Sequence, residues 1–287
     1  MKYQFIEEHR GQFAIRTMCR VLKVAESGYY AWRKRPVSPR KQEDHQLSQH
    51  IQEVFVQERA TYGSPRIQQA LAQKNIRCGG KRVARLMKEY GLAARIHHSH
   101  PQTTVREPTH PVAENLLNRA FQASAPNERW VGDITYISTQ EGWLYLAVIL
   151  DVYSRRCVGW AMGAHPDEQL AEAALRQALV GRQPPHGLLH HTDRGSTYTS
   201  TAYQSLVKES GMVMSMSRKG NCWDNAVAES FFSTLKTECV HRTVFQSRSQ
   251  AQTVIFEYVE VFYNRRRLHS SLGYLSPVEF ELQAFFP

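Results

Sequence analysis

Three carboxylic acids in the second half of the chain are spaced in a way that suggests metal-ion chemistry. Asp133 lies in the middle of an apolar, strand-like segment, Asp193 follows a second short apolar run, and Glu229 stands on a helix-like segment. A charge inside an apolar strand is costly to bury without a partner. Carboxylates that converge from separate elements can hold a pair of Mg²⁺ ions about 4 Å apart, which clamp the attacking and leaving oxygens of a phosphoryl displacement. The spacing therefore predicts an enzyme that cuts and joins nucleic acid.

The segments around these acids predict an α/β fold. Alternating and β-branched residues predict strands at 129–138, 143–151, 157–162, 187–191 and 212–217, and apolar periodicity predicts helices at 167–180, 201–210 and 225–240. The order β-β-β-α-β-α-β-α is that of a ribonuclease-H-like sheet. Neighbouring first and fourth strands would bring Asp133 and Asp193 to one sheet edge, with the helix of Glu229 packed across them.

Several other residues near the acids are candidates for contacts with DNA or for helix capping. Lys236 is seven positions after Glu229 and Ser233 four, so both share its helix face. We expect Lys236 to contact a DNA phosphate, and Arg194 and Lys219 are weaker candidates for the same role. Asp224 and Asn225 are suited to capping the helix. Glu229 taken alone is typical of an exposed helix glutamate, and only its combination with the two aspartates favours a catalytic role.

The positive charge of the chain is concentrated in its front part. The 287 residues carry a formal net charge of +10. Residues 1–110 hold 20 Lys and Arg against 9 Asp and Glu, whereas residues 111–287 hold 16 against 17. This asymmetry predicts a module that binds a polyanion, joined to a metal-using catalytic module. No apolar run approaches the length of a membrane span and no signal peptide is recognisable, so we expect a cytoplasmic protein.

Two helix-turn-helix patterns and a linker occupy the front part. We predict a first segment at 1–42, with Phe13, Met18, Val21 and Leu22 as its apolar face, and a second at 43–92. In the second, Ser64 as a capping hydroxyl followed by Pro65 predicts a helix start, and Gly91 predicts a helix end. Residues 93–123 are expected to be a linker and 124–287 a catalytic core with a C-terminal helical extension. The predicted DNA contacts are Arg33, Lys34, Lys81, Arg82, Arg85 and Lys88.

Six stretches carry a resemblance to a known family. They are residues 20–32, 62–67, 130–137, 191–198, 220–232 and 263–277, the last containing Tyr263, Asn264, Arg267 and His269. Together they resemble transposases of the insertion-sequence-three family, in their OrfB part, within the superfamily of retroviral integrases whose motif is Asp-Asp-Glu. Nearly the whole chain is covered.

The resemblance implies an integrase catalytic core with Asp133, Asp193 and Glu229 as the ligands of Mg²⁺, two ions in number, for which Mn²⁺ substitutes. It implies nicking at the ends of the element, followed by attack of the freed 3′-hydroxyl on another phosphodiester. The implied partners are double-stranded DNA, as terminal inverted repeats and target, further copies of the chain on that DNA, and an upstream OrfA product fused by frameshifting.

Two other functions stay open at this point. A ribonuclease-H-type nuclease would share the acidic chemistry without needing paired helix-turn-helix modules. A DNA-binding regulator that is inactive without its upstream fusion partner would not depend on the acids. Strand joining separates the first from a transposase, and substitution of the acids separates the second.

Overall fold

The computed structural model describes residues 1–36, 38–94, 113–118, 123–218 and 225–285. The front part of the chain is helical: α1 (Lys2–His9), α2 (Ile15–Val21), α3 (Glu26–Lys34), α4 (Pro39–Gln57), α5 (Ser64–Gln73) and α6 (Gly80–Glu89). The pairs α2–α3 and α5–α6 lie where the two helix-turn-helix patterns were predicted. Most of the predicted linker, and the candidates Lys219 and Asp224, lie outside the described residues.

Helices α1 to α3 enclose a small core of their own. Ile6, Met18, Cys19 and Tyr29 are buried together. The predicted apolar face was wrong in part, because Phe13 is 56% exposed and the side chain of Val21 is also exposed. The sequence pattern predicts only two helices in this segment. Helix α1 adds Ile6 to the core, so the apolar contacts of α2 differ from those expected for a two-helix hairpin.

The helix ends in the second unit differ from the predicted ones in two places. The N-cap of α5 is Gly63 without a side-chain hydrogen bond, so the predicted capping by Ser64 was wrong, although Pro65 lies in the first turn as expected. Gly91, which follows the C-cap residue Tyr90 of α6, has a φ of +66°, a conformation that glycine adopts at little cost. Helix α4 begins at Pro39 behind the capping Ser38, so it spans the predicted boundary between residues 42 and 43.

The second half contains a five-stranded mixed sheet, as predicted. Its strands are β1 (Arg129–Thr139), β2 (Gly142–Asp151), β3 (Cys157–Gly163), β4 (Leu189–Thr192) and β5 (Val213–Met216). They lie in the order β3-β2-β1-β4-β5. The pairs β1–β2 and β2–β3 are antiparallel, whereas β1–β4 and β4–β5 are parallel. The parallel neighbours β1 and β4 are the strands that carry Asp133 and lead to Asp193.

Helices cover both faces of this sheet. They are α7 (Glu168–Arg182), α8 (Ser196–Thr199), α9 (Thr201–Glu209), α10 (Ala226–Glu238), α11 (Arg248–Phe256) and α12 (Pro277–Phe285), with a π-helical segment at Glu257–Tyr263 and 3₁₀ turns at Val240–Arg242 and Ser270–Leu272. On β2, Leu146 and Val148 face the core shared with α10, while Ala147 and Ile149 face α7 and α9. This alternation is the period-two signature of a strand with both faces buried. No helix in the described ranges is long and apolar enough to span a membrane.

Strand β3 and helix α7 approach each other closely at a glycine. A Cβ added to Gly159 would lie 2.3 Å from the carbonyl oxygen of Ala174 and 2.7 Å from the Cβ of Ala178. Both distances are too short for real atoms, so only glycine allows the helix to lie this near the sheet. Gly159 therefore sets how closely α7 packs on β3.

The second helical unit and the C-terminal segment share a core with the sheet. Buried side chains of α4, α5 and α6 belong to the same apolar cluster as those of β2, α10 and the π-helical segment. Tyr62 lies at this junction: its hydroxyl donates to the carbonyl of Arg266 at 3.2 Å and accepts from the amide of Leu268 at 2.8 Å. Arg59 pairs with Glu257 at 2.6 Å across the same junction. The second helical unit is therefore packed on the half of the chain that contains the sheet.

Candidate active site

Asp133 and Asp193 are placed side by side by the pairing of β1 with β4. The parallel register aligns Val131 with His191, and continuing it by two residues brings Asp133 level with Asp193, which directly follows β4. Backbone amides orient both carboxylates: Ile134 donates to Oδ1 of Asp133 at 2.8 Å, and Gly195 donates to Oδ1 of Asp193 at 2.9 Å. A carboxylate accepts several bonds, so these two leave capacity for a further ligand.

Helix α10 brings the third acid to the same end of the sheet. Val227, Ala228 and Phe231 bury one face of the helix against the core that contains Val131 of β1. Glu229 lies in the first helical turn and its side chain is exposed. The prediction that Asn225 caps this helix through its side chain was wrong: Asn225 is the N-cap residue without a side-chain capping bond, and its Oδ1 is buried without a hydrogen-bond partner in the described part of the chain.

The raised pKa of Asp133 indicates that the three acids are close enough to interact. Burial raises the pKa of Asp133 well above its ordinary value, and the negative charges of Asp193 and Glu229 raise it further. The Ile134 amide and the positive charge of Lys236 oppose this rise. Burial also raises the pKa of Asp193, against the hydrogen bond from Gly195. Negative charge thus accumulates at this point of the fold, where a cation would relieve the repulsion.

The donor set suits a hard divalent cation, although the three acids are not already arranged as a metal centre. Carboxylate oxygens are the ligands that Mg²⁺ prefers in proteins. Across the described ranges, however, no cluster of three or more His, Cys, Asp or Glu side chains has the proximity needed to hold a metal ion. Asp133 and Asp193 form the closely placed pair, and Glu229 lies beside them on a separate helix. Binding of a cation would therefore include an approach of Glu229.

Lys236 lies near the acids, as its spacing from Glu229 predicted. Its Nζ is 4.8 Å from the centre of the Tyr136 ring on β1, a distance at which the ring face attracts a cation. Burial lowers the pKa of Lys236, whereas the charge of Asp133 raises it. The ammonium group is therefore held beside the acidic site, half-buried and next to the sheet.

Two buried histidines lie within β4 itself and bond to neighbouring elements, and the sequence reasoning missed them. His190 Nε2 lies 2.7 Å from the hydroxyl of Tyr203, and His191 Nδ1 lies 2.8 Å from Oγ of Ser215. Burial and the neighbouring His191 lower the pKa of His190 to about 3, so its ring is neutral at pH 7. The signal was available: two consecutive histidines inside a short buried strand need hydrogen-bond partners.

Most of the predicted DNA contacts are exposed, but two arginines make strong contacts within the chain. Asp44 on α4 accepts from Arg82 Nε and from Arg85 Nη2, both at 2.6 Å. Hydrogen bonds from Arg85 and then Arg82 lower the pKa of the Asp44 carboxyl. These two arginines therefore join α6 to α4, whereas Lys81 and Lys88 on the same helix are exposed.

The remaining predicted contacts differ in the same way. Arg33 lies 3.5 Å from Glu7 of α1, and both Arg33 and Lys34 are exposed. Arg194 donates through Nε to the carbonyl of Ser217, which ties the loop after β4 to the end of β5.

A buried ion pair on the far end of α10 was also missed. Arg267 donates to both carboxylate oxygens of Glu238 at 2.8 Å, and Arg66 of α5 lies 3.6 Å from the same carboxylate. Glu238 is the last residue of the helix whose first turn carries Glu229. Because Arg267 lies 29 positions further along the chain, no local spacing indicates the pair.

Comparison with known proteins places three parts of the chain. Two models described as integrase core domain match residues 123–222 and 229–285, and one described as HTH-like domain matches residues 41–100. The 31 kDa protein of insertion element IS600 from Shigella sonnei is 48% identical over 263 residues, which cover 92% of this chain and 97% of that protein. The transposase InsF for insertion sequence IS3A from Escherichia coli (strain K12) is 44% identical over 283 residues, 98% of each chain.

One solved structure is similar at a lower level. A chain of the simian T-cell lymphotropic virus intasome in complex with PP2A regulatory subunit B56 gamma shares 16% identity, with a TM-score of 0.48. The similarity covers 75% of the present chain and 70% of that one.

Proposed function

Because the chain belongs to the insertion-sequence-three family of transposases, we propose that Asp133, Asp193 and Glu229 are the residues at which it cuts and joins DNA. The chain is a transposase, a polynucleotidyl transferase with an integrase core and a helix-turn-helix-like domain that binds DNA. The observation that carries the proposal is the parallel pairing of β1 with β4, which brings Asp133 level with Asp193, together with the packing of the Glu229 helix on the core that contains Val131 of β1.

In this proposal the acids hold divalent cations, two in number, with Mg²⁺ as the natural ion and Mn²⁺ as a substitute. The cations would supply Lewis-acid activation of the attacking oxygen and stabilisation of the leaving oxygen. Asp133 and Asp193, oriented by the amides of Ile134 and Gly195, provide a rigid pair of oxygen ligands. Glu229 completes the set from the exposed first turn of α10.

The reaction proceeds by two displacements at phosphorus. Water attacks a phosphodiester at the end of the element and releases a strand with a free 3′-hydroxyl. That hydroxyl then attacks a second phosphodiester, so that one bond forms as another breaks and the number of phosphodiesters is conserved. Lys236, beside the acids and over Tyr136, would contact the phosphate of the bound strand.

The proposed partners follow from the same reaction. The DNA is double-stranded and includes the terminal inverted repeats and the target. Two ends must meet in one complex, so we propose that copies of the chain assemble on DNA, with an upstream OrfA product as a fusion partner. We place the protein in the cytoplasm.

Substitution of single carboxylates tests the proposal. Asp133→Asn, Asp193→Asn and Glu229→Gln, each in the full chain and in its fusion to the upstream product, should retain DNA binding and lose Mg²⁺-dependent nicking and joining by at least 1,000-fold, roughly the loss for a group that acts only in the transition state. Asp167→Asn is the matched control. Asp167 caps α7 through a bond to the Leu170 amide, a role that asparagine retains.

The products distinguish the other two functions. Hydrolysed strands without joined strands in the fusion protein would identify a nuclease. Unchanged cleavage and joining in Asp193→Asn and Glu229→Gln would show that the metal site has been assigned to the wrong residues. A regulator would show DNA binding with no cleavage in any form.

A further inference from the structure

An exposed tryptophan lies near the turn of the hairpin formed by β1 and β2. Trp143, the second residue of β2, is 49% exposed, whereas Trp130 on β1 is fully buried. Tryptophan is highly buried on average in folded proteins. The half-buried Tyr136 lies on the same face of the hairpin, because it pairs with Tyr145 while Trp143 pairs with Ser138. The two rings therefore form an aromatic pair at the surface of the sheet.

The aromatic pair adjoins the acidic site through Lys236. The centroids of the Tyr136 and Trp143 rings are 5.0 Å apart and their planes are at 89° to each other, so the rings meet edge to face. Lys236 Nζ lies 4.8 Å from the centre of the Tyr136 ring. The charge of Lys236 lowers the pKa of Asp133, so the ammonium lies near that carboxylate. A continuous strip therefore leads from the acids over Lys236 and Tyr136 to the exposed indole.

Hydrogen bonds hold the turn that carries Trp143. Thr139 Oγ1 donates to the carbonyl of Gly142 at 2.7 Å, and Arg248 Nε donates to the carbonyl of Trp143 at 3.0 Å. The amide of Arg248 also donates to Oε2 of Glu141 at 2.8 Å. The backbone that carries the indole is thus fixed in advance, which reduces the entropy lost when a ligand binds there.

The chemistry of this strip suits a nucleobase. Exposed aromatic rings beside cations bind single-stranded nucleic acid, because every base has a π face and the cations contact backbone phosphates. A base within a duplex already stacks on its neighbours, so the ligand expected here is unpaired. In the proposed reaction the nicked strand must leave its first position to reach a second phosphodiester, and the bases next to its 3′-hydroxyl are then unpaired.

We propose that Trp143 stacks on an unpaired base of the DNA strand whose phosphate passes Lys236. The inference rests on the proposed function in taking the acids as the place where that strand is cut. Ser138, the strand partner of Trp143, lies ~17 Å beyond Asp133 along β1, at about 3.4 Å per residue. A stacked strand rises ~3.4 Å per nucleotide and an unpaired one extends further, so the base lies within about five nucleotides of the scissile phosphate.

Equilibrium binding in metal-free buffer tests this proposal without any cleavage. The probe is a fluorescent duplex with an unpaired single-stranded end, and a blunt duplex of the same sequence serves for comparison. Trp143→Ala in the full chain should weaken binding to the first probe about tenfold, within the range for the loss of one base–aromatic stack. Binding to the blunt duplex and the slope of log K against log salt should not change, because no phosphate contact is lost. Trp143→Phe should bind within about threefold of wild type, since phenylalanine keeps an aromatic face.

Phe256→Ala is the matched control. Phe256 on α11 is 48% exposed and meets the ring of Trp160 on β3 edge-on, with centroids 5.8 Å apart. The variant therefore removes an aromatic ring of similar exposure from a part of the sheet two strands away from β1. It should bind both probes as wild type.

Abasic sites in the DNA locate the base and keep the test independent of protein folding. An abasic nucleotide at one position of the unpaired end should weaken binding to the wild-type protein about tenfold. The same abasic nucleotide should have no further effect on Trp143→Ala, because both changes remove one contact. Undiminished affinity of the wild-type protein for every abasic probe would overturn the proposal, as would equal losses of Trp143→Ala on the single-stranded end and on the blunt duplex.

Sedimentation velocity separates a base from a second copy of the chain as the occupant. If Trp143→Ala dissociates an assembly of the DNA-free chain and its losses add to those of every abasic site, the indole contacts another copy and the proposal is wrong. Failure of the proposed function is a separate result, because Asp193→Asn would then cleave while the coupling of Trp143 to the abasic position stays as expected.

Discussion

Glu238→Gln is the perturbation that tests most directly what holds the helix of Glu229 in place. Glu238 ends α10 and accepts from Arg267 Nε and Nη2 at 2.8 Å each and from the Tyr258 hydroxyl at 2.9 Å. The side chains of Arg267 and Glu238 are 6% and 8% exposed. Burial lowers the pKa of Arg267, but hydrogen bonds and charge from Glu238 outweigh it and raise the pKa. Glutamine removes the charge and leaves the guanidinium buried.

The size of the effect follows from that burial. Removing one partner of a buried ion pair costs about 3–5 kcal/mol, because the remaining charge loses both water and partner. Glutamine keeps one oxygen acceptor, so we expect about 3 kcal/mol of lost unfolding free energy, or a melting temperature lower by roughly 6–12 °C for a chain of this size. Glu172→Gln, in the pair with the exposed Arg176 on α7, should change the free energy by about 0.5 kcal/mol or less.

Urea unfolding followed by circular dichroism measures both variants. A loss of unfolding free energy below about 1 kcal/mol in Glu238→Gln would refute the reasoning, because a desolvated guanidinium that loses its carboxylate should destabilise the fold by more than that. The double variant Glu238→Leu with Arg267→Met should recover most of the stability. Equal losses in the single and double variants would locate the effect in packing and not in charge.

Three further predictions concern the acidic site and the seating of α7. Asp133→Asn should raise the metal-free stability at pH 8 by about 1 kcal/mol, since it removes a carboxylate that burial and two neighbouring acids disfavour; lower stability in urea unfolding would contradict this. Because the pKa of Asp133 is raised in the folded chain, the metal-free stability should fall as the pH rises from about 4 through that pKa. The affinity for Mg²⁺, measured by calorimetry, should rise over the same range. An affinity independent of pH would exclude Asp133 as a ligand. Gly159→Ala should destabilise by about 2 kcal/mol, because the new Cβ meets Ala174 and Ala178; a melting temperature equal to wild type would show that α7 can shift.

The sheet and the positions of its acids could be predicted from the sequence because their signals are local. Strand alternation located β1 and β2 to within one residue at each end. The order of strands and helices then restricted the topology enough to bring Asp133 beside Asp193. Glu229 is predicted to join them only by its combination with the other two, since an exposed glutamate on a helix carries no signal alone.

The parts that could not be predicted depend on contacts between distant segments. A periodic basic face predicts that Arg82 and Arg85 contact DNA. The pattern does not indicate that an aspartate about 40 positions earlier accepts hydrogen bonds from both. Charge patterning gives the face of a helix but not what another helix presents to it. The buried pair of Glu238 with Arg267 has the same origin, as does the exposure of Phe13, which depends on where α1 packs.

The junction at Tyr62 links the helix-turn-helix-like unit directly to the integrase core. Its hydroxyl bonds the backbone at Arg266 and Leu268, the stretch that presents Arg267 to the last turn of α10. A helix-turn-helix-like unit joined in this way cannot be replaced by an unrelated unit without loss of this junction, because the replacement must also provide a surface that packs against the C-terminal segment. New target preferences in this lineage would then arise more readily by replacing exposed side chains on the unit than by importing a different unit whole.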